Sequence, residues 1–176
     1  MTKDELEEIK RTKKWPFRMS DILSRYFFLI FPIFIVLIGI SELYSGFKND
    51  LIDLKMTSIV IIGFGLLMFY FITIRLYQNK RFDCVKIQNL TTDKIEKVIK
   101  ETNFKNWTYH KLGYFLCTTK VSGFSWGEEI TLIPVGENLL INSRPTGSMF
   151  SYQPITIFKD KKNIRILVEK LKITSP

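Results

Sequence analysis

The stretch MTSIVIIGFGLLMFYFITI, residues 56–74, lies between Lys55 and Arg75 without a single charge. Such a run reads as a bilayer-crossing helix. At ~1.5 Å per residue, roughly 20 apolar residues span a ~30 Å hydrocarbon core. Working outward, YFFLIFPIFIVLIGIS, residues 26–41, has the same character between Arg25 and Glu42, and the apolar run resumes in LYSGF past that glutamate. Helices are expected over 26–47 and 56–77, each about 33 Å long. The short segment KNDLIDLK between them forces an antiparallel hairpin. The competing reading is a soluble hairpin buried in a core. Two uncharged runs so close together argue against it.

Aromatic rings gather at the ends of these runs: Trp15, Phe17, Tyr26 and Phe27 before the first, Tyr44 and Phe47 after it, Tyr70 and Tyr77 late in the second. Rings of this kind favour the membrane–water interface. Pro32 is expected to kink the first helix, and Gly39, Gly63 and Gly65 are candidates for close helix approach. Glu42 is the one carboxylate inside an apolar run, so it is the membrane candidate for function. Its place near the helix end also suits a carboxylate that reaches the headgroups.

The chain carries 26 Lys/Arg against 17 Asp/Glu, a net charge of +9. Lys10, Arg11, Lys13, Lys14, Arg18 and Arg25 precede the first helix, and Arg75, Lys80 and Arg81 end the second. The connecting loop has Lys48 and Lys55 balanced by Asp50 and Asp53. Lys/Arg excess marks the cytoplasmic side, so both termini are expected there and the loop outside. Residues 1–25 form a cytoplasmic N-terminal segment, 26–81 the transmembrane hairpin and 82–176 a cytoplasmic domain. The leader TKDELEEIKRTKKW is too long and polar for a cleaved signal peptide and reads as a short charged helix ended near Trp15-Pro16. The basic residues form no dense block and no recognition motif accompanies them, so nucleic acid is not an expected partner. The chain has no alanine and is rich in Ile, Lys, Phe and Asn, the usage of an AT-rich bacterial genome.

After Arg81 the composition becomes that of an ordinary globular domain. A helix is expected from Asp93 to Phe104, capped by Thr92 or Asp93, with Ile95, Val98 and Ile99 as its apolar stripe. WTYHKL, YFLCTTKV and EITLIPV read as strands, GEN as a tight turn and LLINS as a hairpin partner. ITIF is a short strand. Asp160 begins a last helix with stripe Ile164, Leu167, Val168 and Leu171. The fold class is α+β: after the transmembrane hairpin comes helix, three to four antiparallel strands, helix, in two layers with both helices on one face.

Candidate chemistry is sparse. His110 is the only histidine and lies in a predicted strand, Cys117 is expected in the core, and alternation sends Glu128 and Glu129 to opposite faces. Cys84 and Cys117 are not paired in a CxxC, and with one histidine they cannot supply four zinc ligands. No Walker loop, GxGxxG or HExxH occurs. Thus no catalytic residue, metal or cofactor is assigned. The segment NSRPTGSMFSYQ, residues 142–153, reads as a polar loop in which Ser143, Arg144 and Ser148, with Lys120, are the candidate binding residues for an anion or a peptide carboxylate.

The ending LLINSRPTGSMFSYQPITIFKDKKNIRILVEKLK resembles that of small uncharacterised two-helix membrane-anchored proteins of Bacteroidota. The likeness lies in a hydrophobic strand ending in Asn142-Ser143, a polar loop, a short strand, then Lys162-Asn163-Ile164 entering a final helix. That resemblance implies no activity. The expected function is a membrane-anchored, non-enzymatic interaction module or accessory subunit of a bacterial inner-membrane complex. Its expected partners are the lipid bilayer and either another protein or a second copy of the chain. Two alternatives are a membrane-surface enzyme acting on a lipid-linked or anionic substrate through Arg144, Lys120 or His110, and a helix-pair subunit of a channel or transporter in which Glu42 matters most.

Overall fold

The computed structural model describes residues 1–17, 26–102, 104–119, 127–145 and 159–173, with backbone alone at 159 and 160. The chain forms two compact units. Arg18–Tyr77 make one, and Met1–Phe17 with Gln78–Pro176 make the other.

The N-terminal helix α1, Lys3–Thr12, opens with a capping box. Thr2 accepts from the Glu5 N–H, and the Glu5 side chain accepts from the Thr2 N–H. It closes on Lys13, which takes the left-handed conformation at φ 55°.

In the hairpin unit a 3₁₀ turn, Phe27–Leu29, leads into α2, Ile30–Lys48, and α3 follows over Ile52–Asn79. Both helices are long and apolar enough to cross a membrane. Only 11% and 17% of their most apolar windows are buried within the fold. The loop is shorter than expected, residues 49–51. Asn49 and Leu51 donate to the carbonyls of Ser45 and Gly46, and Asp50 adopts φ 50°, a Schellman-type ending that lets α3 begin at once. Pro32 falls in the first turn of α2, where an N–H has no helical partner, so the expected kink has no cause.

Small residues line the seam of the hairpin. A Cβ on Gly39 would stand 2.7 Å from Ile62 Cγ1 and 3.2 Å from the Ile62 backbone nitrogen. One on Gly65 would stand 2.7 Å from Val36 Cγ2 and 3.2 Å from the Pro32 oxygen. Gly46 meets Lys55 in the same way, and Ser58 is fully buried, its hydroxyl donating to the Leu54 carbonyl. Gly63, also expected at the seam, faces open space.

The other unit is built on one antiparallel sheet of five strands: β1 (Asp83–Lys86), β2 (Lys105–His110), β3 (Tyr114–Thr118), β4 (Glu128–Val135) and β5 (Asn138–Pro145), ordered β1-β5-β4-β3-β2. The strand beyond the expected three to four is β1. Its four residues pair with β5 from Asp83↔Ile141 to Lys86↔Asn138. β4 and β5 form the expected hairpin, with Gly136 at φ 59° supplying the positive angle its two-residue turn requires. Helix α4, Thr92–Glu101, is capped by Thr91, one residue before the expected caps, and stops short of Phe104. The Thr102 hydroxyl donates to the Val98 and Ile99 carbonyls there. Helix α5 spans Lys159–Ile173. The ITIF strand lies outside the described residues.

Alternation divides the sheet into two faces. Phe115, Cys117, Ile130, Leu132, Leu139 and Ile141 meet Ile95, Val98 and Ile99 of α4 and Leu167 and Leu171 of α5, as the two-layer reading requires. The opposite face is also covered. Leu6 and Ile9 of α1, with Trp15 and Phe82, pack on Tyr114, Ile133 and Leu140. Burying Leu6 and Ile9 contributes about 1.5–3 kcal/mol each. The leader is thus a structural part of the domain.

Candidate functional site

The polar side chains of the domain concentrate where β4 and β5 run side by side. Strand parity sends Glu128 and Ser143 to the α4/α5 face and Glu129, Thr131, Asn142 and Arg144 to the α1 face.

On the α1 face, Asn142 is the hub. Its Oδ1 accepts from Trp15 Nε1 at 2.8 Å, and its Nδ2 donates to the carbonyls of Asn79 at 3.0 Å and Arg81 at 2.7 Å. One amide therefore joins the leader, the end of α3 and the sheet. The backbone repeats the joint. Trp15 N–H donates to the Lys80 carbonyl, Phe82 N–H donates to the Lys13 carbonyl, and Lys14 bridges Arg81. Trp15 was expected at the membrane interface. It is buried because Asn142 satisfies its indole N–H and Phe82 packs against its ring at a tilt of 45°, centroids 5.2 Å apart.

Arg144 lies over Trp15 with its guanidinium carbon 4.0 Å from the ring centroid. Its Nε donates to Glu129 Oε1 at 2.9 Å and its Nη2 donates to the same oxygen. Glu129 and Arg144 are direct cross-strand partners, and the pair is only partly exposed. Burial pushes the Tyr114 phenol up from its ordinary value, and the negative charges of Glu129 and Glu5 push it further.

On the opposite face Glu128 is fully buried. Its Oε2 accepts from Ser143 Oγ and from Asn163 Nδ2, each at 2.6 Å. Its Oε1 and the Thr131 hydroxyl have no partner among the described residues.

These positions answer the binding expectation residue by residue. Ser143 and Arg144 are not in a polar loop, since β5 continues to Pro145. They point to opposite faces and each is engaged internally, Ser143 with Glu128 and Arg144 with Glu129 and Trp15. Ser148 and Lys120 lie outside the described residues. Glu42 is partly buried in α2, about a turn and a half before its end at Lys48. His110 Nδ1 accepts from the Leu112 N–H at 3.2 Å, and its ring stacks on Tyr114 with centroids 4.7 Å apart. Cys84 and Cys117 are free thiols. Cys117 is buried, and burial followed by the Glu129 charge pushes its thiol up to about 12, which keeps it un-ionised and unreactive. Among the described residues no three His, Cys, Asp or Glu cluster to hold a metal.

Sequence reading missed two polar networks, Trp15 with Asn142 on the α1 face and Glu128 with Ser143 and Asn163 on the opposite face. The alternation of β5 separates Asn142 from Ser143, but nothing local ties Asn142 to Trp15, 127 positions away. No known family model, curated protein or solved structure matches this chain.

Proposed function

We propose that this chain is a membrane-anchored, non-enzymatic interaction module, an accessory subunit of a bacterial inner-membrane complex. Its domain binds a partner protein at the cytoplasmic face. One observation carries the reading: the segment before the apolar hairpin and the segment after it fold into a single unit, joined at Trp15, Lys80, Arg81 and Asn142. Two membrane crossings would return the chain to the side it left, which agrees with that shared fold. The Lys/Arg excess on Lys10 to Arg25 and on Arg75 to Arg81 selects the cytoplasm. The engagement of Arg144, His110 and Cys117 within the fold counts against the alternative in which they act as catalytic groups. Membership of the Bacteroidota group that the C-terminal segment resembles is part of the same proposal.

The native thiol Cys84 is exposed and tests the topology directly. On intact cells a membrane-impermeant maleimide is expected to label a Lys48→Cys variant and to leave Cys84 unlabelled until the cells are opened. Labelling of Cys84 from outside, or purification of the full chain as a monodisperse species without detergent, overturns the anchor. A stoichiometric complex on gentle detergent extraction is the expected readout of the interaction, and a bare monomer in native membranes overturns it.

A further inference from the structure

Helix α5 carries six Lys/Arg against two Asp/Glu, a net +4, out of +5 for the whole of residues 82–176. Helix α4 is balanced, and α1 is slightly acidic. The charge that looks dispersed along the chain is therefore concentrated on one element. It is also concentrated on one line of that element. At ~100° per residue Lys161, Arg165 and Lys172 fall within an arc of about 40°. All three are exposed, none is in an ion pair among the described residues, and Glu169 lies outside the arc. The other side of α5 is locked to the sheet by Leu167 and Leu171. The stripe is held in place by a packed core.

The tether indicates what meets it. At 28 residues α3 is about 42 Å long, longer than a ~30 Å hydrocarbon core. Only residues 80–82 separate its end at Asn79 from β1 at Asp83, a reach of at most ~14 Å. In the proposed topology this short connection tethers the domain to the bilayer it is anchored in. From these observations, and resting on the membrane-anchor reading above, we infer that the Lys161/Arg165/Lys172 stripe is a docking surface for anionic phospholipid headgroups. Ile173, highly exposed in the last turn and about 80° around the helix from the stripe, is the apolar side chain that flanks it. Each Lys or Arg near an anionic leaflet strengthens association on the order of fivefold, so three give roughly a hundredfold.

The test uses the full chain in nanodiscs, with an aqueous-quenchable fluorophore on Ile173→Cys in a Cys84→Ser background. In discs containing about one-third anionic phospholipid, quenching is expected to fall about fivefold or more relative to zwitterionic discs. It should recover in about 1 M salt, where the screening length is ~3 Å. The Lys161→Glu/Arg165→Glu/Lys172→Glu variant is expected to show no lipid dependence while its Trp emission and alkaline-carbonate retention stay those of the parent. Equal quenching in both discs, lipid dependence that survives in the triple variant, or protection that appears only with an added acidic protein overturns the inference. If the parent chain is retained by carbonate while lipid dependence is absent, only this inference falls. Extraction of the parent by carbonate sinks the anchor as well.

Discussion

Asn142 shows how much rests on one amide. Asn142→Ala strands the Trp15 indole N–H and the Asn79 carbonyl in a buried site and removes a third bond to the Arg81 carbonyl, and each buried orphan costs roughly 1–3 kcal/mol. A loss of about 3 kcal/mol is expected in urea unfolding of the detergent-solubilised chain, followed by Trp emission. Cys117 makes a second prediction, with a definite sign. Its folded thiol ionises at about 12 against 9.0 for the ordinary group. Above pH 9 the unfolded chain gains thiolate that the folded chain refuses. The contribution is therefore complete below about 9 and is lost between about 9 and about 12. Thiol titration should find one reactive cysteine, Cys84, in the native state and a second only after unfolding. Strand parity in the sequence already separated Glu128 from Glu129 and placed Cys117 inside, because a period of two needs only local information. The partners of Asn142 and Arg144 were hidden because they come from distant segments, and an Arg beside Ser in a Pro- and Gly-containing stretch has the composition of a loop.

At the level of elements, the hairpin seam discriminates between glycines of similar sequence context. Gly39→Leu and Gly65→Leu force side chains into Ile62 and Val36, with backbone also within 3.2 Å of the new Cβ, so the helices must separate. Overpacking of this kind costs about 1–3 kcal/mol. Spin labels on the two helices are expected to report a wider separation in both variants and no change in Gly63→Leu, which meets open space. The helices themselves were legible as uncharged runs. Their loop was not, because the amphipathic start of α3 reads as polar linker. Lys55 folds back to Asp50 at 2.8 Å and lies over Phe47, which lets a charged residue sit inside the first turns. Strand β1 was illegible for another reason: DCVK is short and mostly exposed, and it becomes a strand because β5 offers an unpaired edge.

For the molecule as a whole, the leader is the part that sequence reading undervalued. Its charges advertise a solvated helix, while only two positions, Leu6 and Ile9, are fully committed to the core. Ile9→Ala is expected to cost about 2–4 kcal/mol. Leu6→Asp/Ile9→Asp should undock α1 altogether, since it places two carboxylates against Trp15, Phe82, Tyr114, Ile133 and Leu140. Hydrogen exchange should then rise on α1 and across Ile133 and Leu140, with membrane retention unchanged. An undisturbed sheet in that variant would show that α1 is decoration.

The apolar stripe of α1 also has a consequence for biosynthesis. The first helix leaves the ribosome before the sheet that receives it. At ~5–20 residues per second, some 6–25 s pass before β5 is made. Throughout that interval Leu6 and Ile9 lack Leu140, the last member of their cluster, and in the proposed topology the leader must stay on its own side of the bilayer while two apolar segments insert behind it. Only when the last strands arrive does the chain close on itself. In the proposed topology, reversing the insertion of either helix from then on requires dismantling a folded domain, so the order of synthesis acts as a ratchet on topology.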